Sequence, residues 1–72
     1  MSYRVGKAKD GRILVIEDSG FVASFADGKW VNKILFSADE QNDEFTGVRD
    51  ASEAKTLYEQ ACKALKRKAI SA

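Results

Sequence analysis

The sequence predicts an α+β fold, an antiparallel meander of three to five strands packed on one C-terminal α-helix, and three observations carry that expectation. Two Asp-Gly pairs, Asp10-Gly11 and Asp27-Gly28, punctuate β-rich runs. Such pairs supply the positive φ values that hairpin turns need. A third turn signal, Asp18-Ser19-Gly20, lies midway between them. The last third of the chain then changes to the three-and-four apolar spacing of a helix.

The first strand is expected over residues 3–8 and the second over 12–17, where Ile13, Leu14, Val15 and Ile16 are apolar on both faces. A strand apolar on both faces belongs in the middle of a sheet. Residues 21–25 give a third strand, Phe-Val-Ala-Ser-Phe. Residues 29–37 give a fourth, with Trp30, Ile34 and Phe36 on one side and Val31, Lys33 and Leu35 on the other. The acidic, amide-rich stretch 38–43 has the composition of a solvated loop, and 44–48 is a short fifth strand or an extended lead-in.

The helix should begin at Ala51. Asp50 and Glu53 have capping-box spacing, in which the Asp accepts from a first-turn N–H and the Glu reaches back to the cap N–H. Ala54, Leu57, Tyr58, Ala61, Cys62 and Leu65 make one apolar stripe. Lys55, Glu59, Lys63 and Arg67 line the opposite face, for about five turns in all. Glu59 and Lys63 stand four apart in the favourable order, and the basic last turns complement the negative helix end.

With 72 residues there is room for one domain, residues 1–72, and one core. Hydrophobic residues at 44% and charged residues at 32% are the proportions of a chain that folds. A single helix covers only one face of a sheet, so half of the side chains of the central strand need another cover. A second copy, a partner or the N-terminal strand folded over would supply it.

Net charge is +1 and the pI about 7.8, whereas nucleic-acid modules usually have a pI above about 9. The charge is unevenly spread. Residues 1–12 carry +3, the acids Asp39, Glu40, Asp43 and Glu44 give −4, and Lys63, Lys66, Arg67 and Lys68 give +4. One cysteine excludes an intramolecular disulfide, and no signal-like or membrane-spanning apolar run is present in the sequence, so a cytoplasmic setting is expected.

No histidine is present, which removes the commonest general base and metal ligand. One cysteine cannot assemble a zinc site, and Cys62 on the apolar helix stripe reads as a buried hydrophobe. The acidic run lacks the alternating acids and central glycine of a calcium loop, and the glycines match no phosphate-binding pattern. No catalytic residue, metal, cofactor or small-molecule substrate is therefore expected.

What remains is binding. The expected reading is a small non-enzymatic protein-binding module, of the kind a phage or mobile element uses as an inhibitor or accessory factor, acting through an open sheet face or by forming a homodimer. Its candidate contact residues are Trp30, Asn32 and Lys33 on and after the fourth strand, the basic Lys63, Lys66 and Arg67, and the acidic Asp39, Glu40, Asp43 and Glu44. Tryptophan is enriched at the energetic centres of interfaces, which singles out Trp30.

Gly28-Lys29-Trp30-Val31, followed by the capped helix start at Asp50 to Glu53, resembles the plan of integrase arm-binding domains and plant AP2-type domains. The resemblance covers the second half of the chain. It implies the alternative function, DNA read by a three-stranded sheet, with Lys29, Asn32 and Lys33 on the reading surface. Those domains line the outer sheet face with Arg and Lys, and this chain departs from that pattern.

Overall fold

The computed structural model describes residues 3–33 and 46–68. Strand β1 (Tyr3–Lys7), β2 (Ile13–Glu17), β3 (Val22–Ala26) and β4 (Lys29–Val31) form an antiparallel meander. A two-residue strand, β5 (Thr46–Gly47), pairs with the free side of β1. The sheet order is β4-β3-β2-β1-β5, and helix α1 (Ala51–Ala64) packs across β1, β2 and β3. The predicted α+β meander with one C-terminal helix is the fold observed. Among the described residues no helix is long and apolar enough to cross a membrane.

The three turns use two geometries. At Asp27-Gly28 both residues have positive φ, 54° and 78°, as a two-residue type I′ hairpin requires. At the first Asp-Gly pair only Gly11 is left-handed, with φ 96°. Its N–H donates to the Ala8 carbonyl and the Ala8 N–H to the Arg12 carbonyl, so this is a three-residue loop ending in a glycine bulge. The turn at Asp18-Ser19-Gly20 repeats the same bonds between Glu17, Gly20 and Phe21.

Registers follow from these turns. Val5, Val15 and Ala23 stand in line on the face toward α1, and with Ile13, Phe21, Tyr58, Ala61 and Cys62 they form the main core. Gly6, Leu14, Ser24 and Val31 make one row on the opposite face, and Arg4, Ile16 and Val22 a second.

That opposite face is not left bare. Leu14 is 6% exposed and Ser24 is fully buried, whereas Ile16 and Val22 are half-buried. Part of the cover comes from the end of the meander. The fourth strand ends at Val31, before the bend at Asn32 and Lys33, and the Ser24 hydroxyl donates to the Lys33 carbonyl at 2.7 Å. Residues 34–37 of the expected strand lie outside the described residues.

Helix α1 starts at Ala51 as the spacing predicts. Asp50 accepts from the N–H groups of Ser52 and Glu53, but Glu53 turns to Lys7 on β1, at 3.0 Å, instead of completing the capping box. The helix is four turns long rather than five. Leu65 caps it and Lys66 takes a left-handed φ of 55°. The Arg67 N–H then reaches the Cys62 carbonyl, and the Lys66 N–H that of Lys63. This is a Schellman ending with lysine where glycine is usual. It takes Arg67 off the outer helix face on which the periodicity places it.

Candidate functional site

Glu17 is the last residue of β2 and shares its inward-facing side with Ile13 and Val15, so its carboxylate is buried beneath α1. A charge there needs several partners. Arg67, carried inward by the Schellman turn, approaches side-on, with Nη2 2.7 Å from Oε1 and Nε 3.1 Å from Oε2. The Ser19 hydroxyl donates to Oε1 and the Tyr58 hydroxyl to Oε2, each at 2.6 Å. All four acceptor directions of the carboxylate are thus used.

The Arg67 guanidinium also lies over the Phe21 ring, 4.4 Å from its centre, and Tyr58 stacks on Tyr3 with ring centres 4.0 Å apart. Hydrogen bonding from Arg67 outweighs the effect of burial and, helped by Ser19 and Tyr58, holds Glu17 at a pKa of about 2. Such a carboxylate is a weak proton acceptor with no free lone pair. Chemically the cluster is a latch that ties the segment after α1 to the turn between β2 and β3.

Cys62 lies beside this latch, 2% exposed, and burial pushes its thiol pKa up. A buried thiol with a raised pKa is a poor nucleophile. Among the described residues no group of His, Cys, Asp and Glu could hold a metal ion.

The structure disperses the residues that sequence reasoning selected. Trp30 is half-buried at the edge strand, tilted against Phe25 with ring centres 5.1 Å apart, and Asn32 and Lys33 are exposed beside it. Lys63 and Lys66 are exposed at the far end of α1. Arg67 sits next to them in sequence but not in role. Its guanidinium is engaged by Glu17, so it does not join Lys63 and Lys66 in a free basic cluster. Asp39, Glu40, Asp43 and Glu44 lie outside the described residues.

Glu17, Ser19 and Tyr58 were missed by that selection, although a signal existed. In residues 13–17 the inward positions alternate, and Glu17 continues the stripe of Ile13 and Val15. A charged residue on that stripe of a central strand demands a cation from elsewhere.

The face away from α1 carries the remaining opportunity. Ile16 and Val22 are cross-strand neighbours, both half-buried, with exposed Arg4 on the other side of Ile16. Apolar side chains fill the middle of this face where a DNA-reading sheet carries cations. No family model matches the chain, and no curated protein or solved structure is significantly similar to it.

Proposed function

We propose that the domain is a non-enzymatic protein-binding module that works through the sheet face opposite its helix, either on a foreign protein or on a second copy. The observation that carries this reading is the Ile16–Val22 pair, half-exposed on a face over which no helix of the described residues lies. Apolar surface rimmed by charge is what protein contacts use. Arg4 and Lys29 are exposed residues at the ends of β1 and β4 around this face. A domain of this size acts most simply by occupying a surface, which fits an inhibitor or accessory role.

The test compares the wild-type chain with Ile16→Asp and Val22→Ser. At micromolar concentration the wild type is expected to sediment above monomer mass or to retain a host protein, and both variants to lose that property while keeping the far-ultraviolet helix signal. Unchanged association in both variants would remove the sheet face from consideration. A sequence-dependent DNA band shift that survives physiological salt would replace this reading with the sheet-to-DNA alternative.

A further inference from the structure

We propose that the module has a second contact point, the groove between the start of β1 and the start of α1, and that this groove takes an extended acidic peptide segment of a protein partner. The inference rests on the protein-binding reading for the class of partner and concerns the neighbouring edge of β1, which shares Arg4 with the sheet face.

The groove, about 370 Å³, has Tyr3, Val5, Val48 and Ala54 among its apolar lining and two arginines, Arg4 and Arg49, in its wall. Its origin lies in the shortness of β5. Among the described residues that strand pairs with β1 opposite Gly6 and Lys7, with one further bond from the Val48 N–H to the Val5 carbonyl, before the chain turns away into α1. Backbone groups alternate in direction along a strand. Because the backbone carbonyl of Val5 points to β5, Tyr3 presents its N–H and carbonyl to the same side, where no strand of the described residues lies. An added peptide strand would continue the line that β5 leaves.

Charge decides what kind of peptide. Among the described residues at this end of the domain, Glu53 is paired with Lys7 and Asp50 caps the helix, so both of these acids are committed. Arg4 and Arg49 are exposed, and neither has a carboxylate within 4.0 Å among the described residues. Two uncompensated guanidinium groups beside an apolar floor fit a strand that alternates acidic and apolar side chains. A polyanion such as nucleic acid would gain from the arginines but would leave the apolar floor unused.

The experiment titrates the isotope-labelled full chain with a short peptide alternating glutamate and valine, followed by amide chemical shifts. A lysine-valine peptide and a single-stranded oligothymidylate serve as comparisons. Shifts are expected at residues 3–5 and 47–51, with Arg4→Glu and Arg49→Glu each weakening the affinity by about tenfold. Val22→Ser, which lies one strand further from Arg4 and adds no charge, should leave this titration unchanged, which separates the groove from the sheet face. The proposal is overturned if the acidic peptide produces no shifts at these residues, if the lysine peptide binds as well, or if the charge reversals have no effect. Equal shifts with oligothymidylate would overturn it in favour of nucleic acid. A wild-type chain that remains a monomer and loses nothing on Ile16→Asp would defeat the sheet-face reading and leave the groove result standing.

Discussion

On the helix side of β2, Ile13, Val15 and Glu17 are buried beneath Tyr58, Ala61 and Cys62, whereas on the opposite side Leu14 is buried and Ile16 is half-exposed. The same five-residue strand is thus finished in two ways. On the helix side, apolar packing is joined to a satisfied polar network that fixes where α1 and the segment after it sit. On the other side, Leu14 clusters with buried Ala8, and the Lys33 carbonyl accepts from Ser24. Among the described residues the helix side therefore carries the larger buried cluster, and the other side the half-exposed apolar pair. A small domain has only a few kcal/mol to lose, so this asymmetry is measurable.

The largest effect should come from Tyr58→Ala, which removes a buried ring stacked on Tyr3 and one of the four bonds to Glu17. A loss of about 3–5 kcal/mol is expected, enough to unfold most of the population, and a thermal melt followed by circular dichroism would read it. A variant that stays folded with a nearly unchanged midpoint would show that the helix side is not where stability is concentrated.

Arg67→Ala comes next, with a smaller loss than breaking a fully buried pair would bring, because the guanidinium is partly solvated. This contribution has a pH signature. Glu17 has a folded pKa of about 2 against an ordinary 4.5, so its stabilisation is fully present above pH 4.5 and is lost as pH falls from 4.5 toward 2. Denaturant midpoints of wild type and variant should differ at pH 7 and converge over that window. A difference constant from pH 7 to pH 2 would mean that Arg67 acts by packing on Phe21 and not through the carboxylate.

The smallest effect belongs to the opposite face. Val22→Ala deletes methyl groups from a half-exposed site and should cost under about 1 kcal/mol in the monomer. The equivalent change at fully buried Val15 should cost more. Equal costs at the two valines would place the opposite face as deep in the core as the helix face, and would end the case for a sheet-mediated contact.

Much of this architecture was legible because its signals are local. Turn residues at 10–11, 18–20 and 27–28 mark where the chain reverses, and the stripe from Ala54 to Leu65 marks which side of α1 is buried. The candidate contacts fared differently. Lys63, Lys66 and Arg67 look alike as a run of charge, but a left-handed Lys66 separates their roles by sending Arg67 inward. No local rule foresees this, since lysine has no intrinsic preference for that conformation.

The sequence by itself determined the order of strands, the reversals between them, the start of the helix and its buried stripe, because each depends on φ preferences and side-chain periodicity within a few residues. Tertiary structure alone decided that Glu53 pairs with Lys7 instead of closing the cap, and that Glu17, Ser19, Tyr58 and Arg67 converge. It also decided that β5 joins the edge beside β1, far from β4. These outcomes bring together residues up to 50 positions apart in the chain. Their energies arise from desolvated charge and shared burial, which exist only once the sheet and the helix have closed on each other.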